Sequence, residues 1–278
     1  MQQRIFDSHH HLWDYDPKQY PWIPKHSAAA HSYNLDDLAQ HCGPYDVQST
    51  IAVHARQTLE ENEWLIEHAR NHKLCSGVVG WVPMLDDHID EVLAHYEDEP
   101  LFKGVRYALQ NEKDPNFMLS AAFMRGLKAI SRTNLRYDIL IFGRQLPNTI
   151  MMVDRMPEDM PFVLDHIAKP TILPSKFDEQ WASDVTELAK RPNVMCKLSG
   201  MMTEVQADVW SISNLKPYFE IVLQAFGHDR LMFGSDWPVC LLKADYVEWI
   251  QTVLKLIHGL SEEEQDKILY RNAVTFYM

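Results

Sequence analysis

Short apolar stretches alternate with longer stretches of helical periodicity along most of the chain. Eight of the apolar stretches are rich in β-branched residues and almost continuously hydrophobic, which is typical of parallel strands covered on both faces. They span residues 4–10, 49–55, 76–82, 102–108, 136–142, 161–167, 193–199 and 230–236. We therefore predict eight strands separated by helices.

Two of the intervening stretches carry clear helix signals. Residues 58–72 open with Thr58 and Glu61 at the spacing of a capping box. Residues 243–259 end at Gly259 and place their apolar side chains on one stripe of a helix. That stripe consists of Tyr246, Ile250, Val253, Leu254 and Ile257.

The repeated order of strand and helix predicts the fold class. Eight such repeats close a parallel barrel, so we predict an α/β protein with a (β/α)8 TIM barrel, distorted in places, as one domain over residues 1–278. An open doubly wound sheet is the alternative, and it is disfavoured because no G-x-G-x-x-G motif follows the first strand. The one long irregular segment, residues 14–34, is rich in aromatic residues. Such a loop either covers an active site or only packs over the barrel mouth.

Charge and composition limit the classes of binding partner and the cellular location that we expect. The formal net charge of −13 and the lack of any basic cluster disfavour nucleic acid and anionic membrane surfaces. The amino terminus lacks the apolar core of a signal peptide, and no apolar run has the length of a membrane span. The four cysteines form no C-x-x-C pair, which suits a reducing compartment. We expect a cytoplasmic protein with a small-molecule partner, whereas its oligomeric state stays open.

Polar side chains concentrate at the carboxyl ends of the predicted strands. The first strand ends in Asp7, His9 and His11. Later strands end in His54, Arg106, Asp165, His166, Lys197, Ser199 and Asp236. Because these ends meet at one face of a barrel, they predict a functional site there.

Strand alternation explains the triple histidine in the stretch DSHHHLWD. Residues two apart on a strand share a face. Asp7, His9 and His11 are therefore predicted to point one way, and His10 the other.

The inward pair of histidines predicts a metal site. His9 and His11 can converge on one point, and His166 and Asp236 are the natural third and fourth ligands of one divalent ion. This mixture of donors favours zinc, with manganese next. The same residues could instead support hydrolysis without a metal, with the carboxylate deprotonating water and donor groups polarising a carbonyl.

Six short motifs spread along the chain together resemble one known family. They are FDSHHHLWD, FKGVRYALQ, VLDHIAKP, NVMCKLSGMMTE, FGHDRLMFGSDWPV and RNAVTFY. They run from residue 6 to residue 277 and resemble the amidohydrolase superfamily, in the amidohydrolase-related (amidohydrolase 2) branch that contains sugar lactonases and the 2-pyrone-4,6-dicarboxylate lactonase. The resemblance implies a hydrolase that opens the lactone ring of a sugar acid, of the L-fucono- or L-rhamnono-lactone type. A metal-dependent decarboxylase of a small aromatic or dicarboxylic acid, and a non-catalytic binding barrel, are the alternatives.

The resemblance also implies roles for single residues. Asp236 in GSDWP is the general base on the hydrolytic water, and His166 in DHIAKP is its catalytic partner. The resemblance implies Arg106 and Lys197 as substrate-binding residues. We add His54, from its strand-end position, and Trp22, from the aromatic loop, as predicted substrate-binding residues. No residue matches the carboxylated lysine that bridges two metals in binuclear relatives. We therefore expect at most one ion, held by His9, His11, His166 and Asp236, and catalysis without it stays open.

Overall fold

The computed structural model describes residues 3–278 and contains one sheet of eight parallel strands in chain order. The strands are β1 (Arg4–His10), β2 (Asp46–Val53), β3 (Cys75–Gly80), β4 (Phe102–Tyr107), β5 (Arg136–Ile139), β6 (Phe162–Leu164), β7 (Val194–Leu198) and β8 (Leu231–Phe233). The sheet closes beyond β8, where Asp236 N donates to His9 O at 2.8 Å and His11 N donates to Trp237 O at 2.6 Å. The predicted (β/α)8 barrel is confirmed.

Helices follow each strand and surround the barrel. They are α1 (Leu35–Cys42), α2 (Leu59–Asn71), α3 (Ile89–Glu97), α4 (Ala121–Ile130), α5 (Leu146–Val153), α6 (Glu179–Leu188), α7 (Ile212–Phe226), α8 (Tyr246–Ile257), α9 (Glu262–Asp266) and α10 (Asn272–Tyr277). A π-helical turn, Lys267–Arg271, joins the last two. Within residues 3–278, no helix is both long and apolar enough to cross a membrane.

Both helices with clear sequence signals form close to the predicted residues. The Thr58 side chain caps α2 by accepting a hydrogen bond from Glu61 N at 3.2 Å. The Glu61 side chain does not complete a capping box, because its buried carboxylate accepts from Ala55 N and Arg56 Nε instead. Helix α8 buries the predicted stripe except for Leu254, which is half-buried.

The core has two layers, as a closed barrel requires. One layer fills the space between the sheet and the helices. The other fills the barrel interior below the strand ends. That inner layer contains Phe6, Ile51, Val53, Val79, Val163 and Met232, with Tyr277 of α10 inserted from the amino-terminal end of the barrel. The barrel is thus a packed core with room for a site only at its carboxyl-terminal face.

Two strands end early because the chain turns into left-handed conformations. Residues His166 to Lys169 follow β6 with φ angles between 46° and 64°, and Asp236 follows β8 with φ of 57°. None of these residues is glycine, so each pays a steric cost of about 1–2 kcal/mol. Strain of this kind is retained where the surrounding structure needs the geometry it produces.

Gly200, which follows β7, offers a test of how tightly the turn after β6 is packed. Its φ is +61°, and an added Cβ would lie 2.8 Å from His166 Nδ1. Gly227 also has a positive φ, +67°, but a Cβ there would meet nothing within 4 Å. We predict that Gly200→Ala and Gly227→Ala both lose about 1–3 kcal/mol from backbone strain. Gly200→Ala should lose about 1–3 kcal/mol more from overpacking. Chemical denaturation of both variants checks this difference, and equal losses would contradict it.

Candidate active site

Strand β1 delivers two histidines to the inside of the barrel. The Nε2 atoms of His9 and His11 lie 3.3 Å apart, and both residues are buried. His10 points to the opposite face, where its Nε2 lies 2.9 Å from Thr50 Oγ1. These three residues alternate as the sequence predicts.

The position of Asp7 corrects the prediction that it shares the face of the two inward histidines. The pairing of β1 with β2 is irregular between Asp7 and His10, which interrupts strict alternation. Oδ1 of Asp7 instead accepts a hydrogen bond from Ser235 N at 2.8 Å, and Tyr246 of α8 lies beside the carboxyl group. Burial raises the pKa of Asp7 to about 6. Asp7 therefore supports the seam between β8 and β1.

Asp236 joins the histidines from the turn after β8. Its Oδ1 lies 3.4 Å from His11 Nε2 and 3.8 Å from the Nε2 atoms of His9 and His166. Burial acts to raise the pKa of this carboxyl group, but the charges of His166 and His11 in their protonated forms, together with Lys169, outweigh it and hold the pKa below its ordinary value. Asp236 is therefore ionised at neutral pH, as a general base must be.

The imidazoles around Asp236 are neutral. Burial lowers the pKa of His166 to about 4, and its Nδ1 lies 2.8 Å from Ser199 Oγ. Burial also lowers the pKa values of His9 and His11. Neutral imidazoles are the form that binds metal ions and that donates or accepts protons during catalysis.

The surroundings of His11 show that a cation fits between these groups. Its Nδ1 lies 2.7 Å from the backbone oxygen of Val53, so the neutral ring carries its proton there. The lone pair of Nε2 consequently faces a carboxylate oxygen of Asp236 with no proton between them. Ligands of a tetrahedral ion at ~2.0–2.1 Å lie about 3.3–3.4 Å from one another. His9, His11 and Asp236 have ligand atoms at 3.3, 3.4 and 3.8 Å, which suits one ion. The predicted fourth ligand, His166, groups with His9 and Asp165 instead, although its Nε2 lies 3.8 Å from Asp236 Oδ1.

A second group of candidate ligands overlaps the first but already holds cations. It consists of His9, Asp165 and His166. Lys197 Nζ lies 3.0 Å from Asp165 Oδ1 and 3.1 Å from His9 Nδ1. Arg106 Nη1 lies 3.3 Å from Asp165 Oδ2. Arg106 Nη1 lies equally close, 3.3 Å, to His9 Nε2 of the first group and so does not distinguish the two groups. Lys197 contacts Asp165 and would repel a further cation there, so the donor set suits one ion rather than two.

The structure places Lys197 away from the cavity, which corrects its prediction as a substrate-binding residue. Its side chain is fully buried, and Nζ lies 2.5 Å from Asp138 Oδ2. Tyr277 donates to the same carboxylate at 3.0 Å. Burial raises the pKa of Asp138 to about 6 against the opposing charge of Lys197. Lys197 therefore orients His9 from below and does not line the cavity.

Sequence reasoning missed the buried partners of Lys197. Asp138 lies within the apolar run 136–142, and Tyr277 lies at the far end of the chain, so neither is marked by a strand-end position. An acidic residue inside an apolar strand was the available signal, because a buried charge requires a partner.

Arg106 and His54 lie side by side in the cavity wall. Arg106 Nη2 donates to the backbone oxygen of His54. The ring nitrogens of His54 lie 2.8 Å from the backbone oxygen of Arg56 and 2.9 Å from that of Arg106. Burial lowers the pKa of His54 well below its usual range. Because the protein occupies both ring nitrogens, only the ring itself is left to contact a substrate.

A cavity of about 630 Å³ opens above the cluster. It is lined by His11, His54, Arg106, His166 and Asp236 together with Trp22. The loop 14–34 contributes Gln19, Trp22 and Pro24 to this wall, and Trp22 Nε1 donates to Ala55 O at 3.2 Å. The loop therefore covers the site, and the cavity has the size of a small-molecule site.

Besides Arg56, which pairs with Glu61, two further charged residues line the cavity and were missed from the sequence. They are Lys169 and Glu204. Lys169 ends the left-handed turn that begins at His166. Each lies within a motif quoted above, DHIAKP and KLSGMMTE, and a charged residue without a role in such a motif was the signal that could have found them.

Comparison with known proteins agrees with this architecture. The L-fucono-1,5-lactonase of Burkholderia multivorans is 36% identical over 255 residues, covering 87% of this chain and 84% of that protein. The L-fucono-1,5-lactonase of Burkholderia ambifaria is 32% identical over 284 residues, covering 98% and 94%. A crystal structure of an amidohydrolase from Burkholderia multivorans with bound zinc has a TM-score of 0.92 at 35% identity and covers 98% of each chain. The amidohydrolase family model matches residues 6–278. The chain therefore belongs to the amidohydrolase family and is a hydrolase.

Proposed function

We propose that this protein hydrolyses the lactone ring of a sugar acid, of the L-fucono- or L-rhamnono-lactone type. The observation that carries the proposal is an ionised Asp236 among three neutral imidazoles at the base of a cavity. The names of the two curated relatives, at 32% and 36% identity, support this substrate class.

The geometry supports a simple sequence of proton and bond movements. A carboxylate oxygen of Asp236 takes a proton from water while the water oxygen attacks the ring carbonyl carbon. The carbonyl electrons move onto its oxygen, where His166 and Arg106 are placed to stabilise the charge. When this oxyanion collapses, the bond to the ring oxygen breaks. The proton on Asp236 passes to the released alkoxide, which yields the open-chain hydroxy acid and restores the base.

We propose zinc, and manganese next, as the ion that His9, His11, His166 and Asp236 would hold. The zinc in the similar crystal structure supports this choice, as does the mixture of imidazole and carboxylate donors. When bound, the ion supplies Lewis acidity beside the carbonyl. A lactone is already an activated ester, so we propose that Arg106 and His166 can stabilise its oxyanion without the ion.

The decarboxylase alternative has weaker support. Both curated relatives described above are lactonases. The cavity also presents Glu204, whose carboxylate would repel an acidic substrate. The family match and these lactonase relatives set aside the non-catalytic barrel.

We also propose a cytoplasmic location and a small-molecule partner, without nucleic acid or membrane. All four cysteines are unpaired and buried, which suits a reducing compartment. The net charge of −13 supports the exclusion of polyanionic partners.

A pH-indicator assay over a panel of sugar-acid lactones tests the proposed function. We expect acid release from one or more hydroxylated lactones. A parallel panel of aromatic and dicarboxylic acids should show no loss of carbon dioxide. Decarboxylation, or inertness toward every lactone in the panel, would overturn the proposal.

Asp236→Asn should reduce kcat about 10²- to 10⁴-fold, because it removes the base while keeping the shape of the side chain. Asp159→Asn, at an exposed position, is the matched control and should retain kcat. Steady-state kinetics on folded protein, checked by circular dichroism, give the result. A near-native kcat in Asp236→Asn would refute the assignment of the base.

His10→Ala should be much milder than His9→Ala or His11→Ala, because only His10 points away from the site. We expect the two inward variants to lose at least about tenfold in kcat/KM, the lower range for losing a group that acts on the reacting atoms. They should also lose bound metal. Kinetics and elemental analysis of the three variants measure both effects. A larger loss in His10→Ala would invert the assignment of faces.

Removing the metal ion distinguishes whether the protein binds an ion from whether hydrolysis requires it. We predict at most one zinc or manganese per chain, and we expect hydrolysis to persist after chelation. Elemental analysis before chelation and an activity assay afterwards provide the two readings. Abolished activity that one equivalent of zinc restores would show that the ion is essential.

A further inference from the structure

Two charged side chains of the cavity wall lack the ion pairs that the others have. Arg56 pairs with Glu61 at 2.9 Å, and Arg106 pairs with Asp165 at 3.3 Å. Within residues 3–278, the structure gives neither Lys169 nor Glu204 a salt bridge, although both line the cavity. Lys169 Nζ lies 5.7 Å from the centre of the Phe142 ring, and Glu204 is hydrogen-bonded to the Thr203 side chain. Neither charge is held in a salt bridge, so each side chain can contact a ligand bound in the cavity.

The backbone from His166 to Lys169 forms a strained left-handed turn that places Lys169 in the cavity wall. The left-handed turn from His166 to Lys169 buries Ile167 and Ala168 in the core, while its first and last residues line the cavity. The turn thus directs the His166 ring and the Lys169 ammonium to the same space. Lys169 itself has a φ of 46°, a left-handed conformation that is unfavourable for any residue other than glycine. Strain of this kind occurs frequently at functional sites.

Glu204 faces the same space from the segment after β7. Burial raises the pKa of Glu204, and the charges of Lys169 and Asp236 also act on it. Lys169, Glu204 and Asp236 line the same cavity, so one bound molecule can contact all three. Their opposite charges give this part of the wall no net charge.

We propose that Lys169 and Glu204 form a polar subsite that binds hydroxyl groups of a neutral polyhydroxylated lactone. The inference rests on the proposed function and narrows its substrate. A carboxylate accepts hydrogen bonds from two hydroxyls, and an ammonium donates to a hydroxyl or ring oxygen. A substrate with a second carboxylate would be drawn to Lys169 but repelled by Glu204 and Asp236. The pair therefore selects sugar lactones over lactones of dicarboxylic acids.

The test compares a fully hydroxylated six-membered sugar lactone with δ-valerolactone, which has the same ring and no hydroxyls. The variants are Glu204→Gln and Lys169→Met, with the exposed Glu158→Gln and Lys176→Met as matched controls. We expect the ratio of kcat/KM values, hydroxylated over plain, to fall about 10- to 100-fold in each cavity variant. The loss should lie mainly in KM, and the controls should keep the wild-type ratio. Within a series of monodeoxy lactones, each lacking one hydroxyl, at least one should show less loss on Glu204→Gln than the full sugar lactone does.

The outcomes separate this inference from the proposed function. An unchanged ratio in both cavity variants, or equal losses on both lactones, would overturn the subsite while leaving lactone hydrolysis intact. A wild-type enzyme that prefers the plain lactone or a lactone dicarboxylate would also overturn it. A wild-type enzyme that opens no lactone would overturn the subsite and the proposed function together.

Discussion

The site depends on the mutual neutralisation of charges buried inside the barrel. Lys197 and Arg106 face Asp138 and Asp165 within 2.5–3.3 Å, and all four side chains are almost completely buried. Removing one partner from such a group typically costs about 3–5 kcal/mol, because it leaves a charge without compensation in a poorly polarisable interior. The network holds His9 from below, so the orientation of the first catalytic imidazole follows from this balance.

The same balance explains why the site suits one ion. Asp165 and His9 would present ligand atoms to a second ion, but Lys197 already lies 3.0 and 3.1 Å from them. The remaining donors, on His11 and Asp236, point toward the cavity with no proton between them. Lys197 therefore occupies the ligand atoms at the lower end of the site, and the ligand atoms of His11 and Asp236 at the upper end are left for one cation.

Most of the fold could be predicted from the sequence, because parallel strands buried on both faces leave continuous apolar runs, and all eight are confirmed. His9, His11, His166 and Asp236 were predictable from strand ends and alternation. Asp7 was not, because an irregularity in the pairing of β1 with β2 interrupts that alternation. Lys197 shows a second limit. The sequence of a strand end does not show whether a lysine side chain enters the cavity or turns below it. The direction of Lys197 is decided by the buried Asp138, which lies two strands away in the sheet.

Crystals soaked in zinc and measured at the zinc absorption edge would test the division of the site most directly. We predict one anomalous peak, within about 2.0–2.2 Å of ligand atoms from His9, His11 and Asp236. Lys197 Nζ should stay beside Asp165, with no peak between Asp165 and His166. A peak at that second position, or two peaks bridged by His9, would contradict the claim that Lys197 takes the place of a second ion.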